Sequence, residues 1–268
     1  MNTITVNGTA LRYDDHGPAD GLPVLLVHGH PFNRSMWRPQ VEALTRAGHR
    51  AVTPDLRGYG ESEVVPGTTA FAEFADDLAA LLDHLGIDRA VIGGVSMGGQ
   101  ITMEFQRTHP GRVRALILCD TSPAPELEAG KEARRAMADR LLAEGMAGYA
   151  DEVIDKMIAP YNVTAQPETA AHVLGMMRTT DPRGAAAALR GRAERPSYLG
   201  TLAATDVPVL VVVGADDTYT TVADTQTWTP VLPQADVIVI EGAGHLPNLE
   251  QPETVNTALL HFLHTEVL

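Results

Sequence analysis

Short apolar runs alternate with amphipathic segments along most of the chain. Residues 24–27 form a continuous apolar run that ends at His28 and Gly29, as expected for a strand covered on both faces. Comparable runs predict five more strands, at 51–54, 90–94, 115–119, 209–213 and 237–240. Ile4, Val6 and Leu11, separated by a turn at residues 7–8, predict a β-hairpin at the edge of the sheet. The alternation with helices predicts the α/β class, with a mostly parallel central sheet flanked by helices.

Two helices are predicted between these strands. Apolar residues recur at helical spacing over 72–85, and Gly86 stands where a C-terminal cap is expected. A second helical segment, 100–107, stops before Pro110. Each segment would connect two parallel strands.

The alternation breaks between about Pro123 and Thr205. This stretch is rich in Ala, Glu, Arg and Met, has no strand pattern, and is divided by Gly and Pro into about four helices. Ligands of open α/β sheets bind beyond the carboxyl ends of the strands. We therefore interpret residues 123–205 as a helical cap, or lid, inserted after the sixth strand, with 1–122 and 206–268 as the core. A structural excursion without a role in binding is the alternative.

Composition and charge exclude several classes of partner. The chain has 268 residues, 44% of them hydrophobic, which suits one domain with a sizeable core. The net charge of −14 argues against nucleic acid and anionic membranes. The single cysteine, Cys119, lies in an apolar run and is expected to be a buried thiol. Residues 1–6 lack a signal-peptide pattern and no apolar segment is long enough to span a bilayer, so we expect a cytoplasmic protein.

The strongest chemical motif spans residues 94–98, Gly-Val-Ser-Met-Gly, between a predicted strand and a predicted helix. Such a turn is so tight that side chains at its two glycine positions would collide with neighbouring backbone. It holds the Ser96 hydroxyl above the sheet, where the N-terminus of the following helix stabilises negative charge. Ser96 is therefore the candidate nucleophile, with a purely structural turn as the alternative.

A serine hydroxyl becomes a good nucleophile when a base removes its proton. Among ten histidines, His245 lies in a glycine-flanked loop directly after the last strand, at the same edge of a parallel sheet as Ser96. His28 also follows a strand, but a role in shaping the backbone of its loop explains this histidine better than a catalytic role does. The base needs a carboxylate that orients it, and Asp216 and Asp217 follow the strand at 209–213. Periodicity leaves the choice between these two open.

Five motifs lie in chain order at 28–31, 55–62, 94–99, 214–217 and 244–252. Together they resemble the α/β-hydrolase superfamily, and residues 28–37 resemble its branch of small carboxylesterases and 3-oxoadipate enol-lactonases. They cover nearly the whole chain apart from the helical stretch, and the order Ser, Asp, His is that of the superfamily. The resemblance implies that Asp55, Arg57 and Ser62 stabilise a loop.

The resemblance also assigns roles to individual residues. The family spacing after the acid strand selects Asp217 as the acid, although the proline frequent after it is absent, so Asp216 stays second. The backbone N–H groups of Met97 and His30 are implied to form an oxyanion hole, where one donor is worth about 2.7–4 kcal/mol. His30 stands where relatives often have Phe. With Trp37, it is a candidate substrate contact; alternatively, its ring faces solvent. No metal or cofactor is implied.

The identity of the nucleophile indicates acyl chemistry, because dehalogenases and epoxide hydrolases of this fold use aspartate in its place. We expect a serine hydrolase that cleaves a carboxylic ester or lactone of a small molecule through an acyl-enzyme on Ser96. Alternatives with the same triad are a ligand sensor or signalling partner, a biosynthetic cyclase or thioester-releasing enzyme, and a C–C bond hydrolase. The substrate and the oligomeric state do not follow from the sequence.

Overall fold

A computed structural model describes residues 2–267, and its framework is an eight-stranded sheet in the order β1-β2-β4-β3-β5-β6-β7-β8. The strands are β1 Asn2–Val6, β2 Thr9–His16, β3 Pro23–Val27, β4 Arg50–Pro54, β5 Ala90–Val95, β6 Val113–Cys119, β7 Val209–Gly214 and β8 Ala235–Ile240. The pairs β1–β2 and β2–β4 are antiparallel and all other pairs are parallel. The α/β class and the mostly parallel sheet are confirmed, and the edge hairpin lies where its turn predicts it.

Twelve α-helices occur in the described residues. They are α1 Arg38–Arg46, α2 Phe71–His84, α3 Met97–Thr108, α4 Glu128–Glu144, α5 Ala147–Met157, α6 Pro160–Ala165, α7 Pro167–Thr179, α8 Pro182–Ala193, α9 Leu199–Ala203, α10 Val222–Trp228, α11 Pro247–Glu250 and α12 Pro252–Phe262. Short 3-10 helices span Arg34–Trp37, Pro110–Arg112 and Thr229–Val231, and a π-helical turn spans Leu263–Val267. Between residues 2 and 267, no helix is both long and apolar enough to cross a bilayer.

Six helices, α4 to α9, connect β6 to β7, where the sequence pattern predicts about four. The difference arises at prolines. Pro160, Pro167 and Pro182 each occupy the first position of a helix. The missing N–H of proline costs nothing there, because the first turn of a helix has no internal acceptor for it. These prolines therefore begin helices as well as separating them.

The core lies on both faces of the sheet. Helices α2 and α3 cover one face and α1 and α12 cover the other, each through its own cluster of buried apolar side chains. Strands β5 and β7 are buried along their whole length, which explains their continuous apolar sequences. In the parallel register Val95 lies beside Cys119, and Cys119 lies beside Val212. The carboxyl ends of β5, β6 and β7 therefore meet at one edge.

Helix α8 packs against the core through its backbone. A Cβ atom at Gly184 would lie 1.9 Å from the carbonyl oxygen of Gly58, and one at Gly191 would lie 1.7 Å from that of Thr69. The N–H of Thr69 donates to the carbonyl of Ala187 at 3.0 Å. Only glycine permits this approach, so the position of α8 over the sheet edge is closely defined.

The loop after β4 is held by buried polar groups. Asp55 accepts the N–H of Arg34 at 2.8 Å and also pairs with its guanidinium group, while the Ser62 hydroxyl donates to the carbonyl of Asp55 at 2.7 Å. Arg57 forms two hydrogen bonds of 2.6 Å to Asp77 on α2. These contacts agree with the structural role that the sequence motif implies for the loop.

Candidate active site

Ser96 lies in a sharp turn between β5 and α3. Its backbone has φ 56° and ψ −118°, a strained conformation for a residue with a side chain. Its N–H donates to the carbonyl of Cys119 on β6 at 3.0 Å. A Cβ at Gly94 would lie 2.3 Å from the carbonyl group of Gly98, and one at Gly98 would lie 2.2 Å from the oxygen of Val27. Side chains at Gly94 and Gly98 would therefore collide with neighbouring backbone, as the sequence motif predicts.

His245 and Asp217 meet at the same edge of the sheet. The ring Nδ1 lies 2.8 Å from Asp217 Oδ2, and both side chains are buried. The other oxygen of Asp217 accepts the N–H of Tyr219 at 2.7 Å. Burial alone would raise the pKa of Asp217, but His245 and two backbone N–H groups lower it, which favours the carboxylate. A neutral ring facing a carboxylate carries its proton on Nδ1, which leaves Nε2 free to accept one.

Asp216 points elsewhere. It is exposed, and its Oδ2 accepts a hydrogen bond of 2.5 Å from the hydroxyl of Tyr161. The structure therefore places Asp217, and not Asp216, against the histidine.

A cavity of about 570 Å³ contains both Ser96 and His245. Helices α4, α5 and α8 contribute to its wall, together with the strand ends of the core. The Ser96 hydroxyl and the imidazole ring of His245 face this cavity without a direct hydrogen bond between them, as often occurs before a substrate is bound. A larger and more open depression of about 900 Å³ lies around Asp14 and Arg34 and contains neither residue.

Two backbone N–H groups near Ser96 have no backbone acceptor in the part of the chain that the structure describes. Met97 begins α3, so its N–H has no partner within the helix. The second group belongs to His30, in the loop after β3. A Cβ at Gly29 would lie 3.0 Å from the carbonyl of Val95, so this loop runs close to the serine turn.

The ring of His30 lines the cavity instead of facing bulk solvent, and the residue is only 5% exposed. Its Nδ1 lies 2.8 Å from the hydroxyl of Tyr59, while its Nε2 is buried without a partner among residues 2–267. Burial lowers the pKa of His30 well below its ordinary value, and the positive charges of Arg192 and Arg134 lower it further. The ring is therefore neutral at neutral pH.

The expected substrate contact at Trp37 is not found. Trp37 is 2% exposed, packs in the cluster between the sheet and helices α1 and α12, and does not line the cavity. It ends the 3-10 helix Arg34–Trp37, whose apolar side chains turn into the core. Burial of the large indole ring in the core outweighs exposure at the site.

Asp120 belongs to the site, whereas the sequence suggests only a structural role for it, like that of Asp55, Arg57 and Ser62. It follows β6, and its Oδ1 accepts the N–H of Gly214 at 2.8 Å, while its Oδ2 has no partner within residues 2–267. Atoms of Asp120, Asp217 and His245 lie within 4.8 Å of one another, close enough to hold a cation, although Asp217 and His245 already bind each other. Burial, and then the charge of Asp217, raise the pKa of Asp120 well above its ordinary value, which favours its neutral form. An acidic residue at the end of β6 was the available signal.

Glu250 joins the histidine loop to the helices between β6 and β7. One carboxylate oxygen accepts the N–H of Gly244 at 2.8 Å, and the other accepts the N–H of Ala159 at 2.8 Å and the side-chain amide of Asn162 at 2.7 Å. Burial raises the pKa of Glu250 despite these hydrogen bonds. In the sequence, Glu250 is visible only as a member of the 244–252 motif. Its contacts position the loop that carries His245.

Three arginines of the helical segment also line the cavity. Arg134 and Arg195 both pair with Glu126, at 2.5 Å and 2.8 Å. The Nε of Arg192 donates to the side-chain oxygen of Gln100 on α3 at 2.8 Å. No local pattern in the sequence distinguishes these arginines from surface arginines, so this set emerges only from the structure.

Comparison with known proteins gives consistent matches over the whole chain. Residues 23–252 match the α/β-hydrolase fold family. The chain is 31% identical to 3-oxoadipate enol-lactonase 2 of Acinetobacter baylyi, over 96% of this chain and 94% of that protein. It is 31% identical to a non-heme chloroperoxidase of Streptomyces lividans, over 98% and 99% of the two chains. A thermophilic esterase from Thermogutta terrifontis, solved with malate bound, is 40% identical and superposes with a TM-score of 0.94, over 99% of this chain and 97% of that one.

Proposed function

This chain belongs to the α/β-hydrolase fold family. We propose that Ser96, His245 and Asp217 form the catalytic triad of an enzyme that cleaves a carboxylic ester or lactone of a small molecule. The observation that carries the proposal is the 2.8 Å contact between His245 and Asp217 in the cavity that contains the strained serine turn. The similarity to an enol-lactonase and to an esterase supports hydrolysis at a carbonyl carbon.

In the first half of the reaction, Ser96 Oγ attacks the carbonyl carbon while His245 Nε2 accepts the hydroxyl proton. Asp217 stabilises the imidazolium that forms and keeps the ring in the required tautomer. The carbonyl oxygen becomes an oxyanion. When the tetrahedral intermediate collapses, the C–O bond of the ester breaks and His245 returns the proton to the departing alkoxide. An acyl-enzyme on Ser96 results; with a lactone, the alcohol stays attached to the acyl chain.

In the second half, water attacks the acyl-enzyme. His245 removes one proton from the water, a second tetrahedral intermediate forms, and its collapse releases the carboxylic acid and returns the proton to Ser96. The backbone N–H groups of Met97 and His30 are the proposed donors to both oxyanions. Their lack of a backbone acceptor supports this role.

The nucleophile is tested by hydrolysis of p-nitrophenyl acetate. Ser96→Ala should lower kcat by at least about 10⁴-fold, since the other triad members cannot replace the attacking oxygen. Ser197→Ala, at an exposed serine away from the cavity, serves as the matched control. Equal rates for wild type and Ser96→Ala would rule out the assignment.

The acid is tested with the two neighbouring aspartates. Asp217→Asn should lower kcat by about 10⁴-fold because an amide in its place favours the wrong ring tautomer. Asp216→Asn should retain most of the activity, since Asp216 bonds Tyr161 and not His245. The reverse ranking of the two variants would transfer the role to Asp216.

A further inference from the structure

The imidazole ring of His30 forms part of the wall of the catalytic cavity, beside the proposed nucleophile. Gly29, the residue before it, lies so close to the serine turn that a Cβ there would be 3.3 Å from the Cβ of Ser96. The backbone N–H of His30 is also one of the two proposed oxyanion donors. An ester whose carbonyl oxygen lies at that N–H therefore places the atoms next to its carbonyl group near the ring of the same residue.

Tyr59 is the partner of this ring and is itself held in place. Its hydroxyl lies 2.8 Å from His30 Nδ1, and the two rings meet edge to face with 6.0 Å between their centroids. The Tyr59 ring also packs against that of His28, at 5.2 Å. His28 is fixed in turn, because its Nε2 accepts the N–H of Leu56 at 3.0 Å and its Nδ1 lies 2.9 Å from the carbonyl of Gly29. The position of the Tyr59 hydroxyl is therefore closely defined.

The contact with Tyr59 decides which nitrogen of His30 carries the proton. Burial lowers the pKa of His30, so the ring is neutral and holds a single N–H proton. Tyr59 is 1% exposed, and within residues 2–267 its hydroxyl has Nδ1 of His30 as its hydrogen-bond partner. If Nδ1 carried the proton, the proton of Tyr59 would be buried without an acceptor, which is unfavourable. If Tyr59 donates instead, Nδ1 accepts and the ring proton lies on Nε2.

The Nε2–H group is then a hydrogen-bond donor without an acceptor. His30 is 5% exposed, and no group in the described part of the chain lies at hydrogen-bond distance from its Nε2. Arg192 and Arg134 act on the ring through their charge, and neither bonds to this nitrogen. Buried donors are nearly always paired in folded proteins. An unpaired one in the wall of a binding cavity indicates that a ligand supplies the acceptor.

We propose that the Nε2–H of His30 donates a hydrogen bond to an ether, hydroxyl or carbonyl oxygen of the substrate that lies a few bonds from the ester or lactone group to be cleaved. Because the ring is neutral, this bond requires no charge on the acceptor. The substrate is then an oxygen-substituted ester or lactone rather than a purely alkyl one. Tyr59 acts through His30, as a positioning residue. This inference rests on the hydrolase function proposed above and adds a substrate class to it.

The acceptor is located with two pairs of esters that differ by one oxygen in place of a methylene group. Ethyl methoxyacetate and ethyl butyrate differ in the acid part, and 2-methoxyethyl acetate and butyl acetate differ in the alcohol part. The kcat/KM of each is measured by pH-stat titration. In His30→Phe, the ratio of ether to alkyl ester should fall by about 5- to 10-fold for the pair that carries the recognised oxygen. Variants are compared on the same pair, so differences in intrinsic reactivity cancel.

Two further variants separate the hydrogen bond from the packing of the ring. His30→Gln should keep a higher ratio than His30→Phe, because the side-chain amide of glutamine can donate. Tyr59→Phe should lower the same ratio by a smaller factor, although Tyr59 does not line the cavity, since the tautomer is no longer fixed. Tyr13→Phe is the matched control and should leave the ratio unchanged. Tyr13 is also buried and meets a histidine ring edge to face, that of His84, outside the cavity.

The tautomer is measured directly in a long-range ¹H–¹⁵N NMR spectrum, in which the signals of His30 are those that disappear in His30→Phe. A proton on Nε2 is expected in wild type. A proton on Nδ1 would overturn the proposal, and so would ether-to-alkyl ratios that His30→Phe leaves unchanged for both pairs.

Binding to Ser96→Ala protein separates this inference from the hydrolase function. In NMR titrations with the same esters, adding His30→Phe should weaken binding of the ether by about 5- to 10-fold more than binding of its alkyl partner. If wild type hydrolysed none of these esters but this difference in binding were found, the hydrolase function would fail and the donor role of His30 would stand. Equal losses for both members of each pair would overturn the donor role and leave the triad untouched.

Discussion

Asp120 and Asp217 bring two carboxyl groups together at the ends of neighbouring strands, and the two groups are in opposite states. Asp217 faces His245 and accepts backbone N–H groups, which favour its charged form. Asp120 is buried beside that charge, and both its burial and the charge of Asp217 raise its pKa and favour its neutral form. Two carboxylates this close repel each other strongly when both are ionised. Because Asp120 is neutral, Asp217 can keep its negative charge beside it.

The substitution Asp120→Asn should stabilise the folded protein, relative to wild type, by an amount that increases as pH rises. Folding raises the pKa of Asp120, so above about pH 4 the folded protein keeps a proton that the unfolded chain releases. This contribution destabilises wild type increasingly from about pH 4 towards the folded pKa and is absent at lower pH. Asparagine does not titrate, and its side-chain oxygen can still accept the N–H of Gly214.

The free energy of unfolding, measured in urea at about pH 4 and about pH 7, checks this expectation. The difference between Asp120→Asn and wild type should shift by at least about 1 kcal/mol in favour of the variant at the higher pH. Asp206→Asn, at an exposed aspartate, provides the matched control. A difference that is the same at both pH values would contradict the neutral form of Asp120.

Helix α8 positions part of the cavity wall, although its sequence contains no recognisable motif. Its residues Ala185–Ala188 are buried, and Gly184 and Gly191 lie at opposite ends of the helix, each in contact with core backbone. Small side chains let the helix axis approach the core closely, so the arginine that follows Gly191 enters the cavity. The sequence identifies this stretch as helical, but small residues carry no signal for the surface against which a helix packs.

Gly184→Ala should therefore destabilise the protein, by about 1–3 kcal/mol or more, because the new methyl group would meet the carbonyl of Gly58 at 1.9 Å. Gly175→Ala on α7 is the matched control. No atom lies within 4 Å of a Cβ there, so the helix propensity of alanine should stabilise the fold by up to about 1 kcal/mol. Thermal unfolding of both variants shows whether each is less or more stable than wild type. Destabilisation of equal size in both would show that the close contact of α8 is not the cause.

At the scale of the whole molecule, Glu250 connects parts of the chain that are distant in sequence. It receives hydrogen bonds from Gly244 beside His245 and from Ala159 and Asn162 at the start of α6. A Cβ at Gly244 would lie 2.7 Å from the nitrogen of Ala159, so the two backbones also touch. If the contacts of Glu250 are lost, we therefore expect the loop that carries His245 and the start of α6 to become more mobile together.

Glu250→Gln should weaken both regions, because an amide nitrogen would face N–H donors where a carboxylate oxygen now accepts. We expect a loss of about 1–3 kcal/mol in the free energy of unfolding, and faster hydrogen–deuterium exchange at both 159–163 and 242–246. Glu253→Gln, at an exposed residue of α12, is the control. Faster exchange in only one of the two segments would show that Glu250 does not couple them.

The strands of the sheet and the chemical groups at their carboxyl ends follow from the sequence alone. Continuous apolar runs predict the inner strands, and the steric demand of the turn at 94–98 predicts both the place of Ser96 and the need for glycine on either side. The parallel order of the strands brings His245 to the same edge. These features depend on neighbours in the chain or on the direction of a strand, so they can be derived without coordinates.

Contacts between side chains that are distant in sequence become visible only in the folded chain. Motif spacing favours Asp217, but the 2.8 Å contact with His245 comes from the folded chain, as does the burial of Trp37 in the core. The hydrogen bond of Arg192 to Gln100 joins two residues that are far apart in sequence. Such facts follow from contacts between distant segments, and a local pattern of residue types carries no information about them.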